Sequence, residues 1–590
     1  MIYTSNRTGS KDRHRVRGKA SKGTVRELIR LLAPYRKSFV FVCILIILVN
    51  LADIAKPYIL KIVIDDYMTK ASSDTLPVLL LSLGYLLLAL AGAFISYAQV
   101  NRMNGIGQGI VYSLREKVFC TIHRLPLGYF NTHSSGGLVT RATSDISEIG
   151  SWYTDVIADL FKDILLLAGI LTAMFLLEPR LAALSLAVVP VIYIVIFTLK
   201  RKIKESFYAM KHYIGKINGF FAENISGIKI IQCFGAEGER LCMFRKLNGQ
   251  YYDSTLMQVN LRSILKPASD LLQDLSIALL LWQGMGMIFD HTVEIGVLYA
   301  MITYTRRIFR PISDLAEMYD SIQSSLVSAE RVFDLTGRSG ELEETDSGIE
   351  KEIEGSIEFQ NVWFAYKEGD WILKDVSFKI DKGQKAALIG ETGAGKTTII
   401  NLICGFYSAQ KGRIFIDGID IEELKPAILR KSIALVLQDV FLFSGSLRDN
   451  ITLKDDISEE RIDEAVSVSG TCVLVDSLPD GIDTFVNERG SNFSAGQRQF
   501  ITLARAVAHN PSIYILDEAT ANVDTRTEKL IQKAVKNVTK DHTSLIIAHR
   551  LSTIRDADLI IVIDKGRITE MGSEKELFEK DGYYKKILQR

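Results

Sequence analysis

The sequence predicts a multidomain protein of two unlike halves: an all-α domain of six membrane-spanning helices, then an α/β domain. Three observations predict this. Mean hydropathy is +0.15 although 24% of residues are charged, so apolar and polar residues are segregated along the chain. Every apolar stretch of about 20 residues, the length that crosses ~30 Å of hydrocarbon, lies before residue 320. Beyond residue 356, short β-branched runs alternate with helical ones.

Composition bounds the rest. A chain of 590 residues corresponds to about four domain-sized units and needs no covalent staple for its core. Lys+Arg 70 against Asp+Glu 69 leaves a net charge of +1, which excludes a globally basic nucleic-acid binder and an acidic tail protein. A hydrophobic share of 48% excludes a disordered chain. The six cysteines are scattered without a CxxC or a His cluster, so neither a zinc site nor a disulfide framework is expected.

Residues 1–37 carry eleven Lys/Arg and no apolar stretch followed by a cleavage site, so they read as a basic cytoplasmic leader rather than a secretory signal. It is either a solvated tail or a contact to anionic headgroups. The membrane domain is assigned to 38–320, with spans near 38–60, 76–98, 156–177, 181–199, 269–289 and 295–316. Segment 200–262 holds eleven Lys/Arg and segment 99–155 holds five, whereas the other connections hold few. The positive-inside rule therefore places both long loops and both termini in the cytoplasm. Those loops read as helical, extending the spans beyond the bilayer. Asp53, Lys56, Asp159, Lys162, Asp163, Asp270, Asp274, Arg306, Arg307 and Arg310 lie in or near spans. Such charges line a polar cavity, pair between helices or snorkel to the interface.

Residues 321–355 read as a linker, acidic and Gly-rich from 337, and 356–590 as the α/β domain. Strands are expected at 356–359, 376–380, 385–389, 413–416, 433–437, 512–516, 543–548 and 559–564, mostly in a parallel sheet. After the third stands Gly390-Glu391-Thr392-Gly393-Ala394-Gly395-Lys396-Thr397, then Thr398 and a helical run. This satisfies G-x-x-x-x-G-K-[ST] in the strand–loop–helix setting that a phosphate cradle requires. Backbone N–H groups and the helix N-terminus favour phosphate. Lys396 is expected at the β/γ-phosphates and Thr397 at Mg²⁺. Downstream, the apolar run Ile513–Leu516 ends in Asp517-Glu518. Asp517 suits the Mg²⁺ shell and Glu518 a general base for water.

Between these two motifs lies Phe493-Ser494-Ala495-Gly496-Gln497-Arg498-Gln499. With it, the chain resembles an ABC exporter half-transporter of the multidrug type over roughly residues 25–590. The resemblance implies a six-helix transmembrane domain of the ABC exporter type followed by an ABC-type P-loop nucleotide-binding domain. It implies ATP and Mg²⁺ as ligands, an ATPase coupled to transport, and export of a small amphipathic or lipid-like substrate across the cytoplasmic membrane. Tyr366 is implied to stack on adenine, and Gln438 to sense Mg²⁺. Asp524 stands at the D-loop position and His549 at the γ-phosphate switch. Ser494, Ala495, Gly496 and Gln497 are implied to act in trans, on ATP held by a partner's P-loop. Glu488-Arg489-Gly490 is similar to the loop that meets the partner's membrane helices. Residues 130–145 and 223–237 resemble the family's intracellular loops, whose short coupling helices are expected near 110–130 and 205–218. Arg331 is expected to end the sixth helix.

Two residues depart from the usual Leu-Ser-Gly-Gly-Gln signature: Phe493 replaces Leu and Ala495 replaces the first Gly. The chain thus owns a complete P-loop, Glu518 and His549, but donates an altered signature. That asymmetry resembles one half of a heterodimeric exporter, favoured here over a homodimer. An ATP-gated channel and a membrane-bound regulatory ABC ATPase share the same cassette and remain alternatives. A soluble ABC ATPase is opposed by the six spans, and a peptidase-bearing exporter by the short leader.

Overall fold

The computed structural model describes residues 22–70, 75–337, 348–367, 369–517, 525–547, 554–580, 582, 584 and 585. It divides into two compact units. One comprises Met1–His123 with Ser135–Arg338, the other Arg124–Ser134 with Ser339–Arg590.

The first unit is helical. Helix Thr75–Arg124 has 50 residues, Glu237–Phe289 has 53 and Ile295–Gly337 has 43. At 1.5 Å per residue each is over ~60 Å long, about twice the hydrocarbon thickness. Among the described residues, four helical stretches are long and apolar enough to cross a membrane: Ala33–Met68, Thr75–Arg124, Ser135–Leu177 and Glu237–Phe289. The fourth expected span is interrupted. Helix Pro179–Leu186 ends before a turn at residues 187–188, and a new helix, Val189–Ser226, begins with Pro190 near its start. The sixth lies within Ile295–Gly337, where Arg306, Arg307 and Arg310 dilute the apolar run. That helix also continues past Arg331 to Gly337, so residues 321–337 are helix rather than linker. Arg331 instead reaches the buried Asp145, Nη1 to Oδ1 3.6 Å.

Ile170, Met174, Leu280, Met301 and Tyr304 are fully buried in the core of this unit. The Tyr304 hydroxyl donates to the Ile54 carbonyl at 2.7 Å. Of the charges within spans, Asp53 pairs with Lys56 at 2.9 Å and with Arg307 at 3.7 Å, and Arg310 pairs with Asp314. Part of the basic leader is folded. Lys22–Leu31 is a helix whose Leu28 is fully buried, and the Tyr153 hydroxyl donates to the Leu28 carbonyl at 2.7 Å.

Among its described residues the second unit holds twelve strands: β1 Ile357–Ala365, β2 Trp371–Ile380, β3 Lys385–Ile389, β4 Lys411–Ile416, β5 Ile419–Asp420, β6 Ile433–Val436, β7 Gly445–Ser446, β8 Phe485–Val486, β9 Ile513–Asp517, β10 Thr543–Ile547, β11 Leu559–Asp564 and β12 Arg567–Gly572. They form an antiparallel sheet β2-β1-β4-β5, a six-stranded sheet β12-β11-β3-β10-β9-β6 and a separate two-stranded antiparallel pair β7-β8. In the larger sheet every pairing is parallel except β11 with β12. Its central strands are mostly apolar because both faces of the sheet are covered. All five residues of β10 are buried. The parallel run brings the C-terminal ends of β3, β10, β9 and β6 to one edge, where α/β sheets bind ligands.

Two short helices occupy the cytoplasmic loops of the sequence reading. Leu127–Thr132 overlaps only the end of the range 110–130, most of which belongs to helix Thr75–Arg124. Ile228–Cys233 lies beyond 205–218, which is interior to Val189–Ser226. The chain breaks where helix formation is locally poor. Pro126 lacks an N–H and is extended, φ −65° and ψ 151°, and Gly227 closes the second long helix at φ −94°, ψ 13°.

Candidate nucleotide-binding site

Strand β3 runs into Gly390–Gly395, and the helix Lys396–Ile403 follows. Gly393 has φ +86° and Gly395 φ +112°, a region costly for side chains but open to glycine. Behind the loop there is no room. A Cβ on Gly395 would lie 2.7 Å from Leu373 Cδ2, and one on Gly390 would run into the Ile563 carbonyl, whereas Gly393 faces open space. The loop is thus pressed against β2 and β11 on one side and presents Glu391, Thr392 and Gly393 to solvent on the other. Lys396 is buried and its ammonium donates to the carbonyls of Gly390 at 2.6 Å and Glu391 at 3.2 Å, so its charge is held across the mouth of the cradle. Ala394 is buried, its N–H donating to the Glu391 carbonyl at 3.1 Å. Thr397 is exposed on the first helical turn and Thr398 is buried.

Tyr366, one residue beyond β1, leaves a ring face half exposed. Its hydroxyl donates to Thr398 Oγ1 at 3.3 Å and accepts from Asn401 Nδ2 at 3.1 Å. The ring is therefore tied to the P-loop helix beside the cradle. Asn401 was not legible as a site residue, because an Asn within a helical run has no motif around it.

Gln438 lies two residues past β6 and is exposed; Asp517 is the last residue of β9. The two strands pair with Val436 opposite Leu516, so both side chains belong to the edge that carries the P-loop. Glu518, Asp524 and His549 lie outside the described residues. The segment after Gln438 is held by a clamp that sequence reasoning missed. Asn450, almost fully buried, accepts from Phe443 N–H at 2.8 Å and donates to the Phe443 carbonyl at 2.8 Å. Arg505, from the signature helix, donates through Nε to the Asn450 carbonyl at 2.7 Å and through Nη1 to the Phe441 carbonyl at 3.3 Å. Burial lowers the Arg505 pKa from its ordinary value, and the carbonyls it serves satisfy its donors.

Ser494 caps the helix Ala495–Ala508 in a reciprocal box. Gln497 N–H donates to Ser494 Oγ at 3.3 Å, and Gln497 Oε1 accepts from Ser494 N–H at 2.8 Å. Ser494 is exposed, Ala495 half-buried and Gly496 buried. Phe493 is buried in the core around this helix, where any large apolar residue serves. Ala495 is the first helical residue and is absent from the positive-φ positions, so its own backbone does not require glycine. Only a close approach from outside would feel its methyl. Glu488–Gly490 forms a single helical turn with Arg489 at φ +56°.

Among the described residues no three His, Cys, Asp or Glu converge on one point. The oxygen donors near the cradle are the Thr397 hydroxyl, the Gln438 amide and the Asp517 carboxylate. A sparse, hard-oxygen set completed by phosphates and water suits Mg²⁺ rather than a softer metal.

Two family models match the chain: the ABC transporter transmembrane region over residues 39–312 and the ABC transporter domain over 373–521. A relative from Bacillus subtilis, the uncharacterized ABC transporter ATP-binding protein YknV, is 36% identical over 94% of this chain and 92% of its own. The chain belongs to the ABC transporter family. YheH of Bacillus subtilis, a probable multidrug resistance ABC transporter ATP-binding/permease protein, is 38% identical over 83% of this chain and 73% of its own. A fatty acid ABC transporter ATP-binding/permease protein of Mycobacterium bovis is 37% identical over 85% and 79%. Among solved structures, a bacterial Atm1-family ABC exporter with ATP bound superposes with TM-score 0.80 at 27% identity, covering 94% of this chain and 98% of that one. This ABC chain is therefore a multi-pass exporter half-transporter, one membrane region joined to one nucleotide-binding domain, and an ATPase coupled to transport. ABC exporters of this form act as dimers in a membrane.

Proposed function

We propose that this half-transporter hydrolyses ATP at the interface of two nucleotide-binding domains and exports a small amphipathic or lipid-like substrate across the cytoplasmic membrane. The observation that carries the reading is the shared edge of the parallel sheet, where the Gly390–Gly395 cradle, Gln438 and Asp517 stand together. In this reading the cradle N–H groups and Lys396 hold the phosphates, and the Tyr366 ring stacks on the base. Thr397, Gln438 and Asp517 hold Mg²⁺, which when bound neutralises phosphate charge. Glu518 takes a proton from the attacking water, and His549 contacts the γ-phosphate. Catalysis is then mainly positioning and electrostatics.

A second chain completes the site. Glu391, Thr392 and Gly393 of the cradle and Ser494 at the signature helix end are all exposed, which suits closure of one signature over another chain's cradle, with Asp524 at the seam. Ala495 favours an unlike partner that carries an unaltered signature. The multidrug and fatty acid names of the relatives support an amphipathic or lipid-like cargo. The basic loop 200–262 supports an orientation with both termini cytoplasmic.

The test is ATP binding and hydrolysis by the full chain in lipid nanodiscs, beside Glu518→Gln and Lys396→Ala. The reading expects binding in the parent and Glu518→Gln, hydrolysis lost in Glu518→Gln, and binding weakened in Lys396→Ala. Turnover by the chain alone indicates a working homodimer, whereas binding with negligible turnover indicates the unlike partner. No ATP binding by the parent would refute the reading. Cargo is checked by ATP-dependent uptake of a fluorescent fatty acid into inside-out vesicles.

A further inference from the structure

The P-loop helix ends in a tight turn that the nucleotide chemistry does not use. Gly405 adopts φ +62°, its N–H donates to the Leu402 carbonyl at 3.0 Å, and Phe406 N–H donates to the Asn401 carbonyl at 2.9 Å. This left-handed stop turns the chain back and delivers Tyr407 to the ring of Tyr366. The two rings meet edge to face, centroids 5.1 Å apart at 83°. Phe364 meets both, at 4.9 Å from Tyr366 and 5.5 Å from Tyr407. Asn401 serves both tyrosines, its carbonyl holding the turn before Tyr407 and its amide the hydroxyl of Tyr366.

The other side of Tyr407 touches the short helix Leu127–Thr132, within the same compact unit. Asn131 Nδ2 donates to the Tyr407 hydroxyl at 2.6 Å. The ring lies so close to Gly128 that a Cβ there would stand 3.2 Å from Tyr407 Cε1. Only Leu125, which is buried, and the extended Pro126 separate this helix from the 50-residue helix Thr75–Arg124.

We propose that Tyr407 is a positioning residue that relays occupancy of the base site at Tyr366 to the cytoplasmic-loop helix Leu127–Thr132. A purine stacked on the exposed face of Tyr366 restricts that ring. The restriction passes through the edge-to-face pair to Tyr407, and through its hydroxyl to Asn131. The phosphates, held by the cradle, are one route of nucleotide sensing; the base, through two tyrosines, is a second. This rests on the reading that Tyr366 stacks on the base of ATP. A purely structural Tyr407 would pack the same core without responding to the base.

The experiment is hydrogen–deuterium exchange of residues 125–134 in the full chain in nanodiscs, on a Glu518→Gln background that retains ATP. Mg-ATP is expected to slow exchange there about fivefold, the worth of one hydrogen bond held more firmly. Inorganic tripolyphosphate, at a concentration that displaces ATP, fills the cradle without a base and is expected to leave exchange unchanged. Tyr407→Phe, which keeps the ring, and Asn131→Ala each remove the same bond. Each should abolish the slowing, and the double variant should do no more than either. ATP affinity should change less than about threefold, since neither group is a phosphate ligand. Equal protection by tripolyphosphate, or full protection in Tyr407→Phe, overturns the relay. ATP binding without any slowing overturns the relay alone, whereas no ATP binding overturns both it and the base-stacking reading.

Discussion

Arg505→Ala removes the clamp between the signature helix and the segment after Gln438, and its cost follows from the contacts. The bond from Nε to the Asn450 carbonyl is 2.7 Å; a charge-assisted bond of this kind contributes ~1.5–3 kcal/mol. The contacts to Asn450 Oδ1 and the Phe441 carbonyl, both 3.3 Å, are longer and add about 0.5 kcal/mol each. Asn450 is buried, so its carbonyl loses a partner that water cannot readily replace. The total is about 3 kcal/mol. For a domain of roughly 250 residues this lowers Tm by about 6–12 °C. The assay is thermal unfolding in nanodiscs followed by tryptophan fluorescence. Of the four tryptophans, Trp363 and Trp371 lie in β1 and β2 and pack edge to face at 5.5 Å. A Trp152→Phe, Trp282→Phe background leaves only these to report. Turnover should fall with little change in the KM for ATP, because the clamp holds the Gln438 loop and not the cradle. A Tm within ~1 °C of the parent would refute the assignment of the clamp as a main support of this region.

Gly395→Ala should lose most ATP binding and destabilise the domain by ~1–3 kcal/mol, because φ +112° is strained for alanine and its Cβ meets Leu373; equilibrium ATP binding and melting check both. Ala495→Gly should raise the ATPase rate of the chain purified alone, if the methyl obstructs a partner's cradle; an unchanged rate removes the case for an unlike partner. Burial pushes the Cys404 thiol from an ordinary 9.0 up to about 12, so at pH 8 a maleimide should modify exposed Cys120, Cys233 and Cys242 and spare Cys404 until denaturation. The same shift has a stability sign. The folded state keeps a proton that the unfolded chain loses above pH 9, so the contribution of Cys404 is complete below pH 9 and is lost as pH rises toward 12; alkaline melting of Cys404→Ala against the parent measures it.

Motifs with local physics were legible. Gly393 and Gly395 of the glycine-rich loop need positive φ, and Ser494 with Gln497 forms a capping box over three residues, so both could be read from adjacent positions. Strands β3 and β11 match the residues expected for them because their apolar runs end at charged or Gly-rich turns. The short helix at Leu127–Thr132 was harder to locate. Its start is marked by one proline after a long helical run, and the run gives no sign of stopping before it.

By itself, the sequence determined the order of a membrane region and a nucleotide cassette, and it marked a glycine-rich loop of the kind that cradles phosphate. Hydrophobic length and glycine conformation are properties of neighbouring residues. Tertiary structure alone decided which distant groups meet: Arg505 with Asn450, Asn401 with Tyr366, Tyr407 with Asn131. Those pairs are separated by 55, 35 and 276 positions. Each rests on one or two hydrogen bonds of ordinary residues. No periodicity records it, because the partner's position is set by the packing of the sheets and helices between them.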